Sequence, residues 1–360
     1  MSQPHFTRGA VAAVENEEAL TAALVTMTTT TRSSRAGRPE PRVRRGWYWF
    51  NFVARRVVRL IISVFILVSA TFVMVHLIPG DPVRAALGDQ AVPELVTLQN
   101  HELGLDKPLG IQYLDYFKNV AHGDLGKSIV SHDEVSSLLR TRLPNTLGIA
   151  LPAFVIMIAI SLPLGFVLAL RTRGGRGERA RSIFVGTTGV LNSIPEFVLA
   201  TILSAIVAVW LELLPVAGKG GLSSYVLPVT ALVIGPTATL SRIVRVEALK
   251  VLDADYIRSA RARRLPNRLL YVRHVLPNMA TASLTYGGLL LGNLVAGTIL
   301  VENVFGWPGL GTVVAQAVVQ KDYPVIQGVL LVMGGIVLII NMSVDLILGV
   351  LDPRSRIKEG

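Results

Sequence analysis

The chain has 360 residues, of which 51% are hydrophobic and 16% charged, and its mean hydropathy is +0.53. These values lie outside soluble globular averages and point to a membrane protein. The absence of cysteine excludes disulfides and thiolate metal sites, and the net charge of +11 has to be explained by where the charges sit.

Residues 1–52 read as a disordered basic tail, because TMTTTTRSSRAGRPEPRVRRG has almost nothing to bury. The first apolar run comes too late and is too long for a cleaved signal peptide. An Arg-rich tail of this kind fits a surface of anionic lipid better than a nucleic acid. Leu60 to Gly80 carries no Asp, Glu, Lys or Arg and meets the ~20-residue length of a spanning helix. Trp47, Tyr48 and Trp49 precede it as interfacial aromatics.

Further spans are expected near 147–170, 183–211, 223–242, 279–301 and 326–350, after a first near 58–78. Pro144, Pro152 and Pro163 place the start of the second near Leu147. The third is interrupted by Glu196 beside Pro195, and the fifth carries Gly287, Gly288, Gly292 and Gly297, which allow close helix contact. Asn303 to Gln320 is apolar enough to suggest a seventh span, but Gly306-Trp307-Pro308-Gly309 breaks it. A loop with a short helix from Gly311 to Val319 is expected instead.

Six crossings put both termini on one side, and the charges choose which. The N-terminal tail, the loop RTRGGRGERARS near 171–181, the loop 242–274 and the C-terminal tail together carry 27 Lys and Arg against 10 Asp and Glu, whereas 79–146, 212–224 and 301–326 carry 8 against 12. The positive-inside rule therefore makes both termini cytoplasmic and the region 79–146 external.

The one long polar stretch between apolar segments in the C-terminal half runs from Glu247 to Pro277. Asp253 to Arg264 is expected as a helix of about 12 residues, ~18 Å long, with Asp253 or Asp255 capping its start. Leu265-Pro266 stops it, and a second short helix is expected over Asn267 to Val275. Ala260, Arg264, His274 and Leu276-Pro277 stand at the spacing Ala, three residues, Gly, nine residues, Ile, any residue, Leu-Pro. This resembles the cytoplasmic Glu-Ala-Ala loop of bacterial ABC importer permeases, and DYIRSARARRLP is similar to the version in the peptide and nickel permeases. Arg264 departs from the pattern, which has Gly there. Because Gly eases a turn of positive φ, the turn in this chain is expected to rest on Pro266.

Other strings resemble the same family in the same order: Pro79-Gly80-Asp81-Pro82, HGDLGKS at 122–128, Glu302 to Gly311, and Leu351-Asp352-Pro353-Arg354. The resemblance implies an all-α integral membrane protein, the type I ABC importer permease fold, over residues 53–356. It implies a bacterial inner membrane location and a cargo of oligopeptides or dipeptides, with nickel or glutathione as alternatives. Implied partners are a second homologous permease, two ABC ATPase subunits and an extracytoplasmic solute-binding protein. No cofactor is expected in this chain, ATP and Mg being held by the ATPases. The residues implied to couple to them are Asp255, Tyr256, Arg258, Ser259, Ala260, Arg261, Arg264, Leu265 and Pro277.

No catalytic or metal-binding set emerges. AHGDLGKS at 121–128 misses a phosphate loop because Ala121 stands where Gly is required, and no strand is expected before it. His101, His122 and His132 match no compact ligand spacing. Glu196 is an ionisable group inside a span; such groups line a cavity or meet a partner. Asn192, Glu196 and Asn293 are the candidate path residues. Asp345 is expected to pair with an Arg such as Arg354. A secondary transporter would need more buried carboxylates and repeated halves, and a membrane enzyme would need a polar constellation at one interface.

Overall fold

The computed structural model describes residues 45–77, 83–84, 92–102, 104–175 and 177–351. The basic tail up to residue 44, the string Pro79 to Pro82, and Asp352 to Arg354 lie outside the described residues. The chain divides into Met1–Val53, of which the helical residues 45–53 are described, and Ala54–Gly360, which holds the rest.

The described backbone is almost wholly helical. In chain order the helices are α1 (Arg45–Leu77), α2 (Pro93–Glu102), α3 (Leu109–Ala121), α4 (Val135–Thr172), α5 (Glu178–Ser193), α6 (Glu196–Leu203), α7 (Ser223–Asp253), α8 (Asp255–Ala262), α9 (Asn267–Leu270), α10 (Leu276–Val304), α11 (Leu310–Gln320) and α12 (Tyr323–Leu351). Extended pairing among the described residues is confined to one bridge between Lys127 and Glu134. Five helices are long and apolar enough to cross a membrane, and a sixth crossing is formed if α5 and α6 count as one.

The third span, read as interrupted at Glu196 beside Pro195, is sharply bent there. Helix α5 and the segment Glu196–Trp210 meet at 92°. The cause is local: Pro195 pushes its predecessor Ile194 out of the helical region, to φ −85° and ψ 118°. Pro144, Pro152 and Pro163 behave differently, since α4 runs through all three, and α7 runs through Pro228 and Pro236. Packed neighbours make such prolines tolerable inside a membrane domain.

Helix α7 is the most enclosed span: 56% of its apolar window is buried, against 17% for α1. It packs along α4 and also touches α5, α6 and α10. Small residues set these approaches, as expected where lipid removes most of the hydrophobic drive between helices. Gly165 of α4 leaves 2.6 Å between an added Cβ and the Ser241 carbonyl of α7. Gly288 of α10 is similarly filled by Val344 of α12.

Asp345 finds an Arg partner on another helix, while Arg354 lies outside the described residues. Arg56 of α1 donates to its carboxylate, and Leu67 of α1 rests against Gly334 of α12. The ion pair thus tethers α12 to α1. The chain between the first two spans is tethered too, where the Ser128 hydroxyl donates to Asp322 and the Ile129 amide donates to Asp322 Oδ1 at 3.2 Å. HGDLGKS therefore ends in a polar clasp on the start of α12.

Candidate translocation and coupling site

The polar loop after α7 is built from its root outward. Arg173, in the neighbouring basic loop, donates to the Leu252 carbonyl and to Asp253 Oδ1, both at 2.9 Å. Arg245 donates to the Thr172 hydroxyl at 2.9 Å and 3.1 Å. Arg173 thus joins the basic loop to the end of α7, and Arg245 joins α7 to the end of α4. The Arg173 contact corrects the expected role of Asp253, which serves the other loop and not the helix start. Asp255 caps nothing either: the N-cap of α8 is Ala254, without a side-chain cap bond, and the Asp255 side chain is 98% exposed.

Helix α8 is shorter than expected, eight residues, or about 12 Å. Ile257 is fully buried and joins the core containing Leu252 and Leu270, and Ala260, one turn on, packs partly against the same core. The outward face carries Asp255, Tyr256, Arg258, Ser259, Ala262 and Arg263, all exposed, while Arg261 is half-buried. Asp255 and Arg258 approach to 3.6 Å, a surface pair worth little.

The helix ends in a Schellman turn. The Arg264 amide donates to Arg261 O at 2.9 Å and the Leu265 amide to Ala260 O at 3.4 Å, the two bonds that define this C-terminal cap. Arg264 occupies the left-handed position, with φ +57°. The expectation that Pro266 replaces a positive-φ residue is therefore corrected: Arg264 adopts the conformation for which Gly is suited, and Pro266 starts the next short helix. That helix continues through a π turn, Tyr271–Val275, into α10, where Pro277 lies in the first turn. Leu270 and Val275 are buried, and Tyr271 meets Phe166 of α4 edge-on at 5.4 Å.

The three candidate path residues separate into two places. Asn192, at the end of α5, accepts from the Thr239 hydroxyl of α7 at 2.5 Å. Glu196 opens α6 and turns its carboxylate onto Gly297 of α10, so closely that a Cβ there would overlap it. Asn293 lies one turn before Gly297 on α10 and is exposed. The structure thus brings Glu196 to the helix that bears Asn293 and ties Asn192 to a different one.

A second polar cluster, beyond the α10 end, was read from sequence only as a motif. Glu302 is fully buried; its Oε2 accepts from the Gly311 amide at 2.6 Å, and its Oε1 has no hydrogen-bond partner among the described residues. Trp307, also fully buried, donates from Nε1 to Asn145 O at 3.0 Å and stacks edge-on to Tyr225 at 4.6 Å. The Asn145 carboxamide donates to Pro308 O at 2.7 Å and accepts from Lys219 at 2.8 Å. The Leu310 amide donates to Thr146 Oγ1 at 2.8 Å. This cluster seats the start of α11 on α4. A Glu inside an otherwise apolar run ending in Gly-Trp-Pro-Gly was the available signal.

The three histidines His101, His122 and His132 do not converge. His101 bonds Asp106 at 2.8 Å, His122 bonds the Lys118 carbonyl of its own helix at 2.7 Å, and His132 sits at φ 61° in the loop.

Two family models match this chain. The model described as binding-protein-dependent transport system inner membrane component covers residues 161–357, and the N-terminal membrane-component model covers residues 49–150. Among curated relatives, the glutathione transport system permease proteins GsiC of Escherichia coli K12 and Salmonella typhimurium LT2 are each 33% identical over 308 residues. That alignment covers 86% of this chain and 99% of theirs. Among solved structures, an inward-facing form of the MetNI methionine ABC transporter matches with a TM-score of 0.52 at 20% identity, over 60% of this chain and 96% of that one. At that identity the likeness concerns the fold alone.

Proposed function

The chain belongs to the family of binding-protein-dependent transport system inner membrane components and is a permease subunit of an ABC importer, and on that premise we propose that its cargo is a short peptide. Glutathione, itself a tripeptide, is the first candidate within this class; the alignment with glutathione permeases over nearly their whole length supports it. The observation that carries the peptide reading is Glu196, a carboxylate at the break of a span, one helical turn along α10 from exposed Asn293. A carboxylate there suits the ammonium group of a peptide N-terminus. Nickel is the second reading, since the loop DYIRSARARRLP also resembles that of nickel permeases.

In this reading the chain forms half of the path beside a second, homologous permease and performs no covalent chemistry. Two ATPase subunits hold ATP and Mg and engage the outward face of α8, and an extracytoplasmic solute-binding protein delivers cargo. Both termini face the cytoplasm of a bacterial inner membrane, with 79–146 external. Closure of the ATPases pushes α8, and because Arg173 and Asp253 join the two loops, the push reaches α4 and α7 together.

The test is uptake into proteoliposomes by the transporter assembled from this chain and its companion subunits. Labelled glutathione, a dipeptide and nickel would be compared, each with ATP inside. ATP-dependent accumulation of a peptide supports the proposal; accumulation of nickel alone overturns it.

A further inference from the structure

We propose that α3 is a lipid-facing amphipathic helix seated in the bilayer leaflet that meets the C-terminal end of α1, so that the region between the first two spans enters the membrane instead of standing clear of it. Three observations converge on this.

The first is depth. Helix α3 docks on the membrane-spanning part of α1. Tyr113 and Ser69 share a hydrogen bond of 2.8 Å, and Tyr116 and Thr71 share one of 3.0 Å. Phe117 lies 6.0 Å from Phe65, and Tyr113 meets Phe72 edge-on at 5.3 Å. All these α1 residues fall within Asn51–Leu77, whose composition is that of a span. The tyrosine hydroxyls reach α1 hydroxyls, the pairing expected where water is scarce.

The second is the division of faces. The polar side of α3 is satisfied by protein. Asp115 accepts from Lys107 at 2.9 Å, and Gln112 donates to the Leu105 and Lys107 carbonyls at 3.0 Å and 2.7 Å while meeting His76 at 3.0 Å. That side also borders a cavity of about 450 Å³ shared with Tyr323 and Gln327. The other side presents Ile111, Leu114 and Phe117, exposed by 46, 58 and 39%. A helix of this length, apolar on one side and polar on the other, is the form of an interfacial helix.

The third is continuity, which names the occupant. Ile61, Ile62, Phe65 and Ile66 of α1 are 51–61% exposed and form an apolar stripe along a helix with the composition of a span, the kind of surface acyl chains cover. Phe117 meets Phe65 in that stripe, so the apolar side of α3 extends it. Acyl chains that cover one cover the other.

Because the chain has no cysteine, the test is direct. Single Leu114→Cys, Phe117→Cys, Ile61→Cys and Asp106→Cys variants would be spin-labelled in the assembled transporter, in phosphatidylethanolamine–phosphatidylglycerol vesicles. Collision rates with oxygen and with a water-soluble nickel chelate would be compared. Oxygen is expected to dominate at positions 61, 114 and 117, and the chelate at 106. Dominance of the chelate at 114 and 117 would put α3 in water, and silence to both reagents would put it against a companion protein; either result overturns the proposal. Should the nitroxide variants fail to assemble, Leu114→Trp gives the same reading by quenching, with brominated acyl chains expected to exceed aqueous iodide.

Discussion

Glu196 and Gly297 occupy one space. The carboxylate of α6 lies where a Cβ of residue 297 would be, so glycine at that point of α10 is what lets the broken span close on it. Gly297→Val forces the carboxylate out or separates the helices, at ~1–3 kcal/mol for overpacking. Cargo uptake by the assembled transporter is expected to fall at least fivefold while the complex stays intact. Glu196→Gln keeps the shape and removes the charge. It is expected to reduce uptake of peptides with a free amino terminus and to spare N-acetylated ones. Equal loss for both kinds would remove Glu196 from cargo recognition.

Arg264 holds a left-handed φ of +57° at the end of α8. A non-glycine residue pays roughly 1–2 kcal/mol for that conformation. Arg264→Gly is therefore expected to stabilise the loop by about 1 kcal/mol, with ATPase assembly preserved. Slower proteolytic nicking between residues 254 and 277 would report it. Faster nicking would mean that the Arg264 side chain contributes more than its backbone costs.

On α8 the test of coupling shifts to the exposed side. Ser259→Trp enlarges an outward residue and is expected to weaken co-purification of the ATPase subunits while leaving the membrane domain folded. Ala260→Trp instead pushes on the core around Ile257, and is expected to lower the thermal midpoint of the isolated chain in detergent. If Ser259→Trp retains full ATPase binding and ATP-driven uptake, the outward face of α8 is not the docking surface.

Glu302 and Trp307 are both fully buried beside the start of α11. Trp307→Ala should cost ~3–5 kcal/mol. Glu302→Ala leaves the Gly311 amide unpaired, at about 1–3 kcal/mol. Thermal unfolding in detergent is expected to rank them in that order, and a neutral Trp307→Ala would deny the cluster its structural role.

Cysteines introduced singly at Ser33 and Ser355 are expected to resist an impermeant thiol reagent in intact cells, and one at Ser131 to react. Protection of Ser131 with labelling of Ser355 would reverse the proposed orientation.

The spans, the polar loop and the family were legible in the chain itself because each rests on a local property: runs without charge, a basic loop, a fixed spacing to Leu276-Pro277. Bilayer thickness and helix rise turn such runs into crossings without reference to any neighbour. What escaped depends on partners distant in sequence. Asp345 pairs with Arg56 of a helix far away in sequence, and Asp253 serves Arg173 rather than the helix it precedes. The direction of Glu196 is a matter of which helix offers a glycine, and the amphipathic character of α3 gains meaning only from its contacts with Phe65, Ser69 and Thr71. A charged or amphipathic segment satisfies itself with whatever the packed bundle brings within reach. Composition therefore determined that this chain spans a membrane, and quoted motifs at fixed spacing carried its resemblance to a permease, while only tertiary packing decided which polar groups meet.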